Sequence, residues 1–174
     1  MIRTILVPST GNENDTAVFA LALAVARGFS AHIDFLHSRV DAVTIGSIVS
    51  SEATSAKLIA DLIERVEKEG DQREQRAKQL FETFCQGQGL AISETPDGAP
   101  PVSAAWLQEV GAESYCVTEY GRAADLLVIG RPGDGEEPLY ETLEAALLNT
   151  GRPILIPTLT PTAALPATVV IAWK

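Results

Sequence analysis

The amino-acid sequence predicts an α/β protein: a doubly wound, open, parallel five-stranded sheet with helices on both faces. Short runs rich in Val, Ile and Leu alternate along the chain with segments whose apolar residues recur every three or four positions. These are the patterns of buried parallel strands and of amphipathic helices. The 174 residues are 46% hydrophobic and 21% charged, which suits one compact core and is too short for two full domains.

The start of the chain predicts a strand, a helix and a second strand. Residues 2–7 form a β-branched run that stops at Pro8, and Asn14 or Asp15 can cap the helix that follows. The second strand is predicted over residues 32–37. Strand, helix and strand in this order form a parallel crossover unit. The apolar residues that share one face of the helix are Val18, Leu21, Ala22, Val25 and Phe29.

The middle of the chain predicts mainly helix. Residues 42–52 are Ser-rich and predict a loop. Residues 55–86 predict either one long helix with a solvated, charge-rich centre or two helices broken at Gly70. A strand near residues 90–93 is left out of the predicted sheet, and residues 95–101, with three prolines and a glycine, predict another loop.

The second half of the chain completes the five strands. Three further strands are predicted at residues 103–110, 125–130 and 153–157. Between them, helices are predicted over residues 113–122 and from Leu139 to a C-terminal cap at Gly151.

Charge, hydropathy and cysteine usage exclude several classes of protein. The net charge of −10 argues against a nucleic-acid binder. The longest apolar run, residues 17–26, is too short to span a bilayer, and the acidic Glu13 and Asp15 before it argue against a signal peptide. Cys85 and Cys116 form no metal-binding or disulfide motif and are expected in the core, so we expect a reducing, cytoplasmic location.

In a doubly wound sheet, ligands bind at the carboxyl ends of the strands, where the strand order reverses. We expect three loops to meet there, at residues 8–12, 39–43 and 130–135. The last one contains several glycines that let a backbone approach phosphate, but Pro132 removes a donor and the acidic residues after it repel anions. The crevice candidates from these loops are Pro8, Ser9, Thr10, Gly130, Arg131 and Gly133.

No catalytic or metal-binding residue is predicted. His37 falls where the second strand should end and could touch the crevice, although a structural role is the simpler interpretation. His32 is five residues earlier and therefore points to the opposite face of the strand. The sequence contains no HExxH, Walker lysine loop or GxSxG motif.

Four short motifs follow one another along residues 1–157. They are Ile5-Leu6-Val7-Pro8, Phe35-Leu36-His37, Ala124-Asp125-Leu126-Leu127-Val128-Ile129-Gly130 and Gly151-Arg152-Pro153-Ile154-Leu155-Ile156-Pro157. In order and spacing they resemble the universal stress protein family. The resemblance implies a five-stranded parallel sheet with four main helices, a homodimer built through the last strand, and a role in stress resilience without a defined reaction.

The resemblance also implies where a nucleotide would bind. Nucleotide-binding members carry Gly-x-x-Gly, nine further residues, and then Gly followed by Ser or Thr. Gly130 and Gly133 match the first part, but Leu143 and Glu144 stand at the second. Thr10 stands where those members have an Asp that grips the nucleoside. We therefore expect no cofactor, with ATP as the alternative.

The sequence thus favours a non-enzymatic stress-response protein that acts through dimerisation and protein contacts. The alternative is a nucleotide-binding stress protein, for ATP or a related nucleotide, with at most weak hydrolysis. An electron-transfer or nucleotidyl-transferring α/β enzyme would share the fold, but the sequence lacks its phosphate or acidic metal motif.

The last residues fall outside the predicted domain of residues 1–157. Residues 158–166 predict a Pro-rich linker, and residues 167–173 predict one more strand. Residues 168–172 can be laid on residues 4–8 without a gap, which suggests the start of a second repeat and a longer tandem protein. An uncovered apolar strand is an exposed edge. We expect this tail to pair with the sheet edge or with a second chain of a homodimer.

Overall fold

A computed structural model describes residues 1–12, 14–42, 56–94, 102–132 and 137–158. They form a six-stranded, all-parallel sheet in the order β3-β4-β2-β1-β5-β6. The elements in chain order are β1 (Thr4–Pro8), α1 (Asp15–Phe29), β2 (His32–Arg39), α2 (Ala56–Gln88), β3 (Ala91–Ile92), β4 (Ser103–Val110), α3 (Glu113–Gly121), β5 (Leu126–Val128), α4 (Glu137–Asn149) and β6 (Ile154–Leu155).

The helices cover both faces of the sheet, as the sequence predicts. Alternate residues of the central strand β1 point to opposite faces, so Ile5 and Val7 join one core cluster and Leu6 joins the other. α1 and α2 pack on the first face and α3 and α4 on the second. The chain passes from one side of β1 to the other between β4 and β5, so the strand order reverses between β1 and β5.

Aromatic side chains join α1 and α2 to the sheet. Phe19 of α1 meets Phe35 of β2 edge to face, with ring centroids 4.6 Å apart. Phe81 of α2 lies 5.2 Å from Phe35 and 5.3 Å from Trp106 of β4. Such large apolar contacts contribute most of the packing free energy in a core of this size.

The predicted strand count is corrected from five to six. Ala91 and Ile92 pair in parallel with Ser103 and Ala104 and add a two-residue strand at one edge. A run this short has no periodicity that could distinguish it from a loop. Tertiary pairing with β4 therefore decides its conformation.

The helix left open at Gly70 is a single helix, α2, of 33 residues. Gly70 lies in its interior, where the side chain of Arg39 crosses it, with Nε 3.6 Å from the place that a Cβ would occupy. The glycine therefore marks a side-chain crossing and not a helix end.

The remaining predictions fall partly within the described residues and partly outside them. Cys85 and Cys116 are both buried, as predicted. The predicted loop at residues 42–52, apart from Ala42, lies outside the described residues, as do the predicted loop at residues 95–101 and the tail at residues 159–174. None of the helices in the described part of the chain combines the length and apolarity that a membrane-spanning segment needs.

Candidate functional site

The loop after β1 is organised around one buried carboxylate, Asp15. It accepts hydrogen bonds from the hydroxyls of Ser9 and Thr10, at 3.3 and 2.9 Å, and from the backbone N–H of Gly11 at 2.8 Å. Burial raises the pKa of the Asp15 carboxyl, and these hydrogen bonds oppose the rise. Asp15 thus holds the loop in one conformation. Asn14 stands at the N-cap position of α1 but makes no side-chain capping hydrogen bond, so neither of the two predicted residues caps the helix through its side chain.

His37, in β2, holds the same loop through a hydrogen bond. Its Nδ1 lies 2.8 Å from the carbonyl oxygen of Ser9, which can only accept, so Nδ1 carries the proton. The ring stacks on Trp106, with centroids 5.8 Å apart and planes 14° apart. Burial lowers the pKa of the His37 imidazole, and the residue has the structural role that the sequence favoured.

His32 has a separate role on the other face of β2. Its Nδ1 lies 2.7 Å from the Ser103 hydroxyl and its Nε2 lies 3.1 Å from the Asp34 carboxylate. The contact with Ser103 joins β2 to β4, whereas Asp34 lies two residues further along β2 itself. No three His, Cys, Asp or Glu side chains of the described ranges come together as a metal site requires.

Among the described residues, little space is left between β1 and β5 beside Gly130. A cavity of about 10 Å³ is lined on the β1 side by Pro8 and Thr10 and on the β5 side by Gly130. Val18 and Leu139 close it: their methyl carbons lie 3.5 and 3.7 Å from the place that a Cβ on Gly130 would occupy. A space of this size holds at most one water molecule.

A second small cavity lies on the outer side of Gly130. It measures about 20 Å³ and is lined by Gly130, Arg131, Asn14, Ala17, Pro157 and Thr158. Small-molecule sites usually enclose about 300–1,000 Å³. Neither of these two spaces beside Gly130 approaches that range. A cavity of about 460 Å³ lies on the α2 side of the loop after β1, where Gly11 and Asn12 face Arg76 and Leu80.

The structure brings together some of the predicted crevice residues. Pro8, Thr10, Gly130 and Arg131 line the two small cavities. Ser9 is buried and turned to Asp15. The remaining predicted residues are Leu143, which packs against the core between the sheet and α3–α4, Glu144, which is exposed, and Gly133, which lies outside the described residues.

A second acid, which is partly buried, lies on the α3–α4 side of the sheet. Glu113, in the first turn of α3, accepts a hydrogen bond of 3.1 Å from the hydroxyl of Thr142 in α4. Burial raises the pKa of the Glu113 carboxyl; the Thr142 bond and the charge of Arg73 lower it, and the charge of Asp15 raises it further. Burial therefore favours the neutral form of both acids.

Sequence reasoning missed the residues that close the crevice. The apolar spacing predicts that Val18 and Leu139 lie on helix faces, which is compatible with their position because a face that packs on a sheet also borders its carboxyl edge. For the side chain of Asp15 the sequence predicts a helix cap and no contact with the loop. The one available signal was its position five or six residues after two hydroxyl residues at a strand end, a spacing that an ordinary helix start also produces.

Comparison with known proteins identifies the architecture. No protein-family model and no curated protein matches the amino-acid sequence. Among solved structures, the universal stress protein UspA from Lactobacillus plantarum superimposes with a TM-score of 0.59 at 18% identity, over 90% of this chain and 98% of that one. A universal stress protein family member from Burkholderia pseudomallei gives 0.51 at 15% identity, over 92% and 97%.

The chain has the universal stress protein fold. The coverage extends over nearly the whole length of both chains, so the resemblance is not limited to one crossover unit. At this level of identity the match concerns the fold, and the side chains of the crevice have to be judged by their own contacts.

Proposed function

We propose that this chain is a universal stress protein that acts through self-association and protein contacts and holds no nucleotide in its crevice. The observation that carries the proposal is the filled space beside Gly130, where Val18 and Leu139 leave only about 10 Å³. A nucleoside phosphate needs a volume more than ten times larger.

The surface near the end of the domain supports self-association. β6 is an edge strand of the described sheet, with β5 on one side only. Ile156, directly after β6, is 45% exposed, and Leu147 and Leu148 in the last turn of α4 are also exposed. An open strand edge with apolar neighbours favours pairing with another chain.

The test of self-association compares the two edges of the sheet. We expect sedimentation equilibrium to give a dimer for the unchanged chain and a monomer for Ile156→Asp. The control is Ile92→Asp, which places the same charge on an exposed isoleucine at the opposite edge, in β3, and should leave the dimer intact. A monomeric unchanged chain, or equal dissociation by both variants, would contradict the proposal.

The proposal that the crevice holds no nucleotide is tested by calorimetry with magnesium and ATP. We expect no heat of binding at micromolar nucleotide for the unchanged chain. Leu139→Ala removes a side chain that closes the cavity beside Gly130, so any latent site should become detectable there first. Micromolar binding by the unchanged chain would favour the alternative, a nucleotide-responsive stress protein.

A further inference from the structure

A separate and much larger cavity lies between the end of β2 and the middle of α2. It encloses about 450 Å³, within the range of small-molecule sites. None of its lining residues borders the two small cavities of the crevice. Its lining consists of His37, Arg39, Val40, Val66, Glu69, Gly70, Gln72, Arg73 and Arg76.

The cavity concentrates positive charge in an acidic protein. The chain has a net charge of −10 and nine arginines, of which three line this one cavity. Glu69 is the acidic member of the lining. Acidic residues outnumber basic residues on this chain, so its overall composition does not explain three guanidinium groups at one cavity.

Arg39 forms a fixed wall of the cavity. Its guanidinium lies 2.7 Å from a carboxylate oxygen of Asp71 and 3.5 Å from one of Glu74. Its side chain lies across α2 at Gly70, at a distance that would put an added Cβ in ordinary van der Waals contact. These two carboxylates outweigh the single positive charge of Arg39, so any positive charge available to a ligand comes from the other two arginines.

Arg73 and Arg76 supply that charge. They are three positions apart on α2, which places them on the same helix face. Arg73 donates one hydrogen bond of 3.3 Å to the carbonyl oxygen of Ser38, which leaves most of its N–H groups open. Among the described residues, neither arginine lies within ion-pair distance of a carboxylate.

The remaining lining is suited to an organic group. Val40 and Val66 give the cavity apolar sides, and Gln72 adds an amide. His37 donates its Nδ1 proton to Ser9, so its Nε2 is left with a lone pair that can accept a hydrogen bond.

We propose that this cavity binds a small organic phosphate monoester. Arg73 and Arg76 bind the phosphoryl oxygens, and the carbon part lies against Val40 and Val66. A phosphate presents three terminal oxygens and so satisfies two separate guanidinium forks, whereas a carboxylate has oxygens for only one bidentate pair. The proposal concerns a different site from the crevice and does not depend on the dimer.

The first experiment measures thermal unfolding of the full chain with phenyl phosphate, inorganic phosphate, or sodium chloride at matched ionic strength. A ligand that binds only the folded state raises the midpoint. We expect phenyl phosphate to raise it most, inorganic phosphate less, and chloride least. No difference between phenyl phosphate and chloride would overturn the proposal; equal effects of phenyl and inorganic phosphate would overturn the organic part.

Variants then assign the binding to named residues. Arg76→Gln removes an exposed side chain with no ion pair among the described residues, so folding should be preserved. Loss of hydrogen bonds to a charged ligand should weaken phenyl phosphate by about tenfold or more. Arg65→Gln is the control, with the same charge change at an exposed position of the same helix outside the cavity. Equal weakening by both variants would overturn the assignment.

The apolar wall is tested with Val66→Asn. We expect weaker binding of phenyl phosphate and unchanged binding of inorganic phosphate, because only the former contacts the wall. If both probes weaken equally, or neither changes, the carbon part does not lie against Val66 and this half of the proposal is wrong.

Discussion

Gly11 is the residue on which the contact between the loop after β1 and α2 depends. Its φ of +77° lies in the left-handed region, and a Cβ there would stand 2.7 Å from the carbonyl oxygen of Arg73 and 3.3 Å from the backbone N of Ala77. Both are backbone atoms of a helix and cannot rotate away as a side chain can. Gly11→Ala therefore introduces two independent costs.

The two costs can be estimated separately. A non-glycine residue in the left-handed region loses about 1–2 kcal/mol, and overpacking against a rigid neighbour costs about 1–3 kcal/mol. Together they predict that Gly11→Ala lowers the free energy of unfolding by about 2–5 kcal/mol. Gly89→Ala isolates the first cost, because Gly89 has a φ of +64° and no atom within 4 Å of its added Cβ.

The assay is urea denaturation followed by circular dichroism, with the free energy and the m-value compared among variants. Gly70→Ala should change the free energy of unfolding in the opposite direction. Gly70 is helical and an added Cβ would be in ordinary contact with Arg39, so alanine should stabilise the chain by up to about 1 kcal/mol. If Gly11→Ala and Gly89→Ala lose the same free energy, α2 moves aside and the contact with Arg73 does not constrain the loop.

Three further predictions concern buried titratable groups. Burial raises the pKa of Glu113 above its ordinary value of 4.5. Glu113→Gln, which keeps the acceptor for Thr142, should therefore increase the free energy of unfolding near pH 7 and change it little below about pH 4.5. Urea titrations at both pH values check this, and an equal effect at both would contradict it. Burial lowers the pKa of His37 below 6.5. As the pH falls below that value, the unfolded chain takes up a proton that the folded chain does not. The free energy of unfolding should therefore fall more steeply for the unchanged chain than for His37→Gln, and parallel pH profiles would refute this. Burial raises the pKa of the Cys85 thiol to about 11, so native protein should react with a thiol reagent near pH 8 far more slowly than urea-unfolded protein, and rapid native labelling would count against it.

Much of the architecture could be predicted because it depends on local periodicity. The alternation of Ile5, Leu6 and Val7 and the helical spacing of α1 indicate which side chains are buried, and the parallel crossover follows from their order. The burial of Cys85 follows from the same helical spacing on α2. β3 could not be predicted, since two residues have no period and their conformation comes from pairing with β4.

The crevice shows the limit of counting along a motif. Spacing from Gly130 points to Leu143, yet the side chain beside the glycine is that of Leu139, one helical turn earlier, and Leu143 packs in the core. Residues four apart share a helix face. The position of α4 along the sheet therefore decides whether the side chain of Leu139 or that of Leu143 reaches the crevice, and packing sets that position.

The sequence by itself determined the α/β layers, the crossover order and the buried positions, because each follows from the period of apolar residues over a few turns or one strand. Only the tertiary structure decided that Asp15 holds a loop and does not cap a helix, and that Arg73 and Arg76 of α2 share a cavity with Arg39 of β2. Those meetings join residues far apart in the chain. They depend on the close approach of two backbones at Gly11 and on the crossing of a side chain at Gly70, and neither leaves a local pattern in the sequence.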